Sequence, residues 1–437
     1  MSGRVVFLNT HPIQYHAPLY RELTQQGLDL EVFYCMQPEG RMQAEIGFGV
    51  AFQWNVDLLS GYRHRFLKNA AKHPTLRGFW GMDTPEIGAI LRNERPAAVV
   101  IYGWHFLAAL QTVLACVRLG IPYYLRGDSQ FAERRPLHVR ALKYPLYRLL
   151  IGLAEGCLPV GERSAAYFRH YGCVPQRLHV VPHCVDDRLF RPGTIGPDSR
   201  RDMGFQRDDV VFLFCGKLVP AKRPMDFLRA LARLAETGSR RFGAIVAGEG
   251  PQRDECESFS RERELPVRYV GFVNQAELPR TYQLADFLVL PSESETWGLV
   301  VNEAMLCGLP AIVIEEAGCT PELISRSGVG RATVAKLLSL GWRVALVGRR
   351  REALEETIAL AGAPAGRALA FPCDLGDSAA VAAMAPSVAE DAGGKASSAE
   401  ALASTELSGP LPPPGSGAGG GRSTSPRLVR TASSSPT

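Results

Sequence analysis

The sequence lacks the features that would place it outside ordinary soluble globular proteins. None of its 437 residues lies in an apolar run near the ~18 that a membrane helix needs, so no membrane-spanning segment is expected. Ten cysteines, from Cys35 to Cys373, form no C-x-x-C pair. That pattern disfavours a disulfide or zinc framework and fits a reducing, cytoplasmic compartment. The opening MSGRVVFLNTHPIQYH has a single Arg before a short apolar run and no small-residue cleavage site, so it does not read as a signal peptide. No histidine follows His183 and no aromatic residue follows Phe371. The low-complexity end, 392–437, is therefore expected to be disordered. A net charge of +5 permits an anionic substrate or membrane surface and gives no case for nucleic acid.

What is present argues for an α/β protein. The hydrophobic fraction is 46% and the charged fraction 21%, and the length suggests two to three domains at ~150 residues each. Short apolar runs at 5–9, 30–35, 97–102 and 121–125 read as buried parallel strands, separated by stretches with helical spacing that end in Gly. A Pro-, Gly- and Asp-rich connector at 180–199 leads to a second series of strands at 210–216, 242–250, 267–273, 285–292 and 309–318. Two Rossmann-like units joined by a linker leave a cleft between them. The expected division is 1–187, 188–324, a fragment at 325–391, and the tail.

The strongest local signal is PSESETWGLVVNEAMLCGLP at 291–310. A strand ends at Pro291, a polar loop carries Glu295, and a helix starting near Thr296–Gly298 carries Glu303 about one and a half turns in. A helix N-terminus offers unpaired N–H groups to a diphosphate, and Glu303 is able to accept two hydrogen bonds from a ribose diol. For the two glutamates alone, a plain loop carboxylate and a solvated helix carboxylate are equally good readings. FCGKLVPAKRP at 214–224 puts Gly216, Lys217 and Lys222 at the C-terminal edge of a strand, where open α/β sheets bind ligands. VAGEGP at 246–251 adds Glu249 in a Gly-flanked loop that allows close backbone approach.

G-K-L-x-P-x-K, A-G-E-G, G-F-V and Glu295-x7-Glu303 with E-A-M-x-C-G-x-P, in that order, resemble the retaining nucleotide-sugar glycosyltransferases of family four. The resemblance covers about residues 1–324, and T-H-P-I-Q-Y-H-A-P-L-Y near the N-terminus resembles a bacterial branch. It implies the GT-B fold, with two Rossmann-like domains facing across a cleft. It further implies that Lys217 and Lys222 serve the donor diphosphate, Glu303 the ribose and Glu295 the transferred sugar. Trp297 and Gly298 would line the sugar and phosphate site, and Gly271, Phe272 and Val273 the nucleobase end. The resemblance implies a UDP- or GDP-sugar donor and no need of a metal or other cofactor, because the lysines and helix dipole would supply the charge. On the acceptor side the chain departs from the family pattern. His11, Tyr15, His105, Arg126 and Asp128 are the candidates there, with Arg126-Gly127-Asp128-Ser129 read as following the fifth strand. The resemblance implies an acceptor that is a glycan, a lipid-linked molecule or a small molecule. Arg134, Arg135, Arg140, Lys143 and Arg148 in 133–150 would form either a peripheral membrane contact at the inner face of the plasma membrane or a plain solvated face.

Residues 326–377 are similar to the start of a short-chain dehydrogenase, with S-G-V-G, WRVALVGRRR and FPCDLGD. This implies an alternative, an NADP-binding oxidoreductase-like appendage in which Arg349 or Arg350 meets the 2′-phosphate and Asp374 the adenine. No Tyr occurs after Tyr282, so the family's Tyr-x-x-x-Lys chemistry is excluded. The glycosyltransferase match stops near Ile324, so the donor domain is expected to be incomplete and the reading frame recombined, frameshifted or misassembled.

Overall fold

The computed structural model describes residues 3–37, 54–76, 78–131, 137–193, 195–196, 198–236, 241–314, 317–326, 344–348, 351, 355, 358–359 and 368–372. The chain divides into two compact units, one of residues 1–309 with 316–319, the other of 310–315 with 320–437.

The first unit contains two parallel sheets. One is built from β1 (Val5–Asn9), β2 (Leu30–Tyr34), β3 (Arg63–Phe66), β4 (Ala98–Tyr102), β5 (Tyr123–Gly127) and β6 (Gly156–Pro159), in the order β3-β2-β1-β4-β5-β6. This is the doubly wound order, whose direction reverses between β1 and β4 and leaves a crevice at their C-terminal ends. Its central strands β1 and β4 are mostly apolar on both faces because both are covered. Val6, Leu8, Phe33, Val99 and Ile101 pack on one side, and Phe7, Val32, Tyr34 and Val100 on the other. The helix Leu107–Leu119 lies over the first face and ends at Gly120, whose left-handed φ of 65° closes its last turn.

The second set, β7 (Val210–Cys215), β8 (Phe242–Ala247), β9 (Val267–Gly271) and β10 (Phe287–Leu290), runs β10-β7-β8-β9 and so reverses between β7 and β10. The helix Pro224–Glu236 buries Met225, Phe227, Leu228 and Leu231 against Phe214, Ala244 and Val246 of this sheet. Two Rossmann-like layers of this kind agree with the expected architecture.

The second unit holds β11 (Ala311–Val313), a π-helical segment Thr320–Arg326 and a parallel pair, β12 (Val344–Gly348) with β13 (Ala368–Pro372). The Thr320 hydroxyl donates to the Ile314 carbonyl at 2.8 Å. Most of 325–391 and all of 392–437, with the NADP-site residues and the expected disorder, lie outside the described residues.

The fifth strand needs correction. It spans Tyr123–Gly127, two residues later than the apolar run suggests, because Pro122 has no N–H for the ladder. Arg126 is therefore inside the strand and only Asp128 and Ser129 follow it. Strands β3 and β6 escape the sequence reading because RHRF and GCLP carry few apolar residues.

Candidate functional site

Every strand of the second sheet delivers its loop to one cavity of about 270 Å³. Gly216, Lys217 and Lys222 come from the loop after β7, Gly248 from the loop after β8, and Phe272 and Val273 from that after β9. Glu295, Thr296, Trp297 and Gly298 follow β10, and Glu303 projects from the helix Leu299–Leu306. Two glycines are required by geometry. Gly298 caps that helix at φ 102°, and a Cβ there would meet Leu290, Cys319 and Glu295 carbons or sulfur at 3.2–3.3 Å. Gly248, at φ 149°, lies where a Cβ would collide with the Gly216 carbonyl, so the β7 and β8 loops approach this closely only because residue 248 carries no side chain.

The charges are arranged in pairs. Lys222 forms an ion pair with Glu295. Glu303 is buried, and its Oε2 accepts the Tyr282 hydroxyl at 2.6 Å. Burial pushes the Glu303 carboxyl up to about 7, while the hydrogen bonds from Tyr282 and Gln275 pull the other way. The first-turn N–H groups of the helix Leu299–Leu306 have no carbonyl four residues earlier inside the helix, so positive potential points at this end of the cavity. The Trp297 indole is buried and donates to Asn302 Oδ1 at 2.8 Å, which fixes the loop preceding the helix.

Trp54, Gln14, Tyr15, Asp128 and His183 from the first sheet's loops and the connector complete the wall of the same cavity. A second cavity of about 660 Å³ lies at the crevice of the first sheet. It is lined by Tyr15, Tyr102, Trp104, His105, Arg126, Asp128, Gln130 and His183 among others, and shares Tyr15, Asp128, His183 and Thr296 with the first. Arg126 is buried; its Nη1 donates to the Val181 carbonyl at 2.7 Å and its charge lies 5.4 Å from the Tyr102 ring centre. Burial keeps the imidazoles of His11, His16 and His183 neutral at neutral pH. Burial lowers His11 to about 4, and burial together with Arg126 lowers His183 to about 3. His16 is likewise held well below its usual value, first by burial and then by His183. Burial and the nearby Asp128 raise the Tyr15 phenol.

Of the residues singled out from sequence, Gly216, Lys217, Lys222, Phe272, Val273, Glu295, Trp297, Gly298, Glu303, Tyr15 and Asp128 meet at the smaller cavity. His105 and Arg126 line the larger one. Three do not line either. Glu249 turns away to pair with Arg253 one helical turn on, and a Cβ at Gly271 would lie 3.0 Å from that Glu249 carboxylate. His11 instead shares a 2.8 Å hydrogen bond with the Thr10 hydroxyl. Sequence reasoning missed Trp54, Gln130, His183 and Thr296, and it missed Tyr282 as the partner of Glu303. Only His183 carried a signal, as the last histidine of the chain in a Pro-flanked connector.

Comparison with known proteins gives three family matches. Residues 17–189 match Glycosyltransferase Family 4, residues 197–336 match Glycosyl transferases group 1, and residues 325–395 match short chain dehydrogenase. Among curated relatives, a D-inositol 3-phosphate glycosyltransferase of Actinosynnema mirum is 33% identical over 219 residues, covering 47% of this chain and 50% of the relative. A 2-deoxystreptamine glucosyltransferase of Streptomyces kanamyceticus is 30% identical over 239 residues, covering 51% and 62%. The chain thus spans about half the length of the curated relatives it matches. A crystal structure of Anabaena HepE in complex with UDP and glucose superposes with a TM-score of 0.52 at 16% identity, covering 73% of this chain and 82% of that one. At that identity the likeness is one of fold.

Proposed function

Because the chain belongs, through residues 17–189 and 197–336, to the family-four glycosyltransferases of GT-B fold, we propose that it moves a sugar from a nucleotide-sugar donor to an acceptor hydroxyl with retention at the anomeric carbon. The observation that carries this reading is the convergence of Lys217, Lys222, Glu295, Glu303 and a helix N-terminus on one cavity. In that arrangement the lysines and helix end face the diphosphate, Glu303 accepts the ribose hydroxyls, and Phe272 and Val273 flank the base. Glu295, held by Lys222, contacts the sugar.

Catalysis follows from where charge grows. As the bond from the anomeric carbon to the diphosphate oxygen breaks, its electron pair passes to the diphosphate. Lysine charge and helix N–H groups stabilise that product more than the bound donor. This is the work a divalent ion would otherwise do, so the reaction proposed here is metal-independent. The acceptor oxygen bonds to the same face of the anomeric carbon that the diphosphate leaves, and its proton passes to the departing phosphate oxygen. The larger cavity takes the acceptor, with Tyr102 and Trp104 forming an aromatic wall. A cytoplasmic setting belongs to the same proposal, since among the described residues nine cysteines are free thiols and eight of those are buried.

Calorimetric titration with UDP, GDP and ADP tests the donor half. One nucleoside diphosphate should bind the native chain, and Lys222→Ala should weaken it roughly 10- to 100-fold, the worth of a charge-assisted hydrogen bond. Equal affinity in the two proteins refutes the diphosphate role of Lys222.

One observation bears on the acceptor. The helix Leu137–Leu153 exposes Leu146, Leu149 and Leu153 at 46%, 58% and 50%, spaced to share one face, while Lys143 lines the acceptor cavity. No helix among the described residues is long and apolar enough to cross a membrane. The reading this supports is peripheral contact through 133–150 with an anionic bilayer that presents a lipid-linked acceptor. Co-sedimentation with phosphatidylglycerol vesicles should fall for Leu149→Glu, and the contact is refuted if the two proteins sediment alike.

A further inference from the structure

The loop carrying Glu295 is held from three directions. Its carboxylate pairs with Lys222, from the loop after β7. Its backbone carbonyl accepts the Gly318 N–H at 2.8 Å. The same carbonyl accepts Gln130 Nε2 at 2.7 Å, and Gln130 belongs to the other sheet, on the loop after β5, 165 residues away in sequence. Gln130 is 6% exposed and lines the larger cavity, and its Oε1 has no hydrogen-bond partner among the described residues. A second bridge joins the loops of the two sheets. There Asn55 bonds the Glu277 carboxylate at 2.8 Å and accepts the Ala276 N–H at 3.1 Å. The two bridges are not equivalent. Water competes directly for the exposed Asn55 contacts, whereas the shielded Gln130 bond is exchanged for nothing as good when it breaks.

We propose that Gln130 is a positioning residue that fixes the backbone of the Glu295 loop across the cleft, so that the sugar-facing carboxylate is in register only while the two sheets are docked. The inference rests on the reading that Glu295 contacts the transferred sugar. The role does not depend on a contact between Gln130 and substrate, although Gln130 lines the acceptor cavity. The amide acts through one carbonyl, by setting where the loop between β10 and the helix Leu299–Leu306 comes to rest. Lys222 alone does not do this, because an ion pair through the side chain leaves the backbone free to swing. Gly318 constrains the carbonyl from the donor side only.

The test uses the full chain with Gln130→Met, which keeps the length of the side chain and removes its N–H donor. Hydrogen exchange followed by proteolysis should show residues 293–298 and 318 exchanging about 3- to 10-fold faster, the worth of one net hydrogen bond. Peptides from β1, β4, β7 and β8 should keep their native rates, and the melting temperature should stay close to that of the native chain. With the nucleotide sugar that the native chain turns over, kcat should fall by a similar factor while the KM for donor stays within about twofold. Asn55→Ala is the control and should leave 293–298 protected. Unchanged exchange at 293–298 overturns the proposal, as does a rise shared equally by both sheets, which marks a merely structural glutamine. If Gln130→Met does not fold, Gln130→Glu keeps side-chain length and polarity and as a carboxylate donates nothing; the same exchange outcomes apply to it. Failure of any nucleotide to bind the native chain sinks the donor reading instead and leaves the exchange result standing, so the two failures are distinguishable.

Discussion

The ribose role proposed for Glu303 makes donor binding proton-sensitive, and the size of the effect follows from its surroundings. A ribose diol donates two hydrogen bonds, so it needs the carboxylate rather than the acid. Burial raises the Glu303 carboxyl to about 7. Apparent affinity then weakens by a factor of 1 + 10^(pKa − pH), roughly 11 at pH 6 and close to 1 at pH 8, so UDP-glucose should bind about tenfold more weakly at the lower pH. UDP-glucose is the right probe because its diphosphate is esterified at both ends and takes up no proton in this window. The neighbouring imidazoles do not interfere, since His11 and His183 titrate at about 4 and about 3. Cys215 and Cys307 are pushed up to about 12 and about 11 by burial. Glu303→Gln should bind more weakly and with a flat profile. Tyr282→Phe removes the 2.6 Å hydrogen bond that favours the carboxylate and should move the midpoint up by about one pH unit. The same group affects stability. Its folded value lies above the unfolded 4.5, so the folded state holds the proton more tightly. That contribution is fully present below pH 4.5 and is lost as pH rises through about 7, a change of roughly 3 kcal/mol. Glu303→Gln should therefore melt higher than the native chain at pH 8 and lose that advantage at pH 5. Calorimetric titrations from pH 6 to 8 decide the matter: a flat native profile, or affinity that falls toward alkaline pH, refutes the reasoning.

Two further predictions concern the same loops. Gly298→Ala forces a Cβ into a left-handed residue with neighbours at 3.2–3.3 Å and should destabilise the chain by about 1–3 kcal/mol, read as a lower melting temperature. Glu249→Ala should change nucleotide affinity by less than about twofold, because its carboxylate is engaged by Arg253 and a partly buried pair outside the cavity lining is what is lost. A large loss of UDP affinity in Glu249→Ala would show that the side chain turns inward when donor is bound.

Much of this molecule is written locally. Val5–Asn9 and Val210–Cys215 are continuous apolar runs because both faces of each sheet are covered, and such runs are legible without any partner in view. Lys217, Lys222, Glu295 and Glu303 were legible for a related reason. Each sits at a fixed short distance from the end of a strand or the start of a helix, and in a doubly wound sheet those ends are where ligands bind. Strand boundaries were less secure. Pro122 shifts β5 by two residues, and RHRF pairs as β3 through backbone hydrogen bonds that its polar side chains do not advertise.

What the tertiary structure decided is which side chains face one another. Glu249 occupies the same kind of loop position as its neighbours, yet an arginine one helical turn on turns it away from the cavity. Glu303 carries its raised carboxyl because the folded chain buries it, against the pull of the Tyr282 and Gln275 hydrogen bonds, and neither partner stands at a local spacing that identifies it. Gln130 meets the Glu295 carbonyl across 165 residues of chain. Periodicity and capping act over a few residues and fix the elements, together with the strand ends at which a ligand can sit. Burial, ion pairing and cross-cleft hydrogen bonds depend on how complete sheets come to rest, and they give those residues their protonation states and partners.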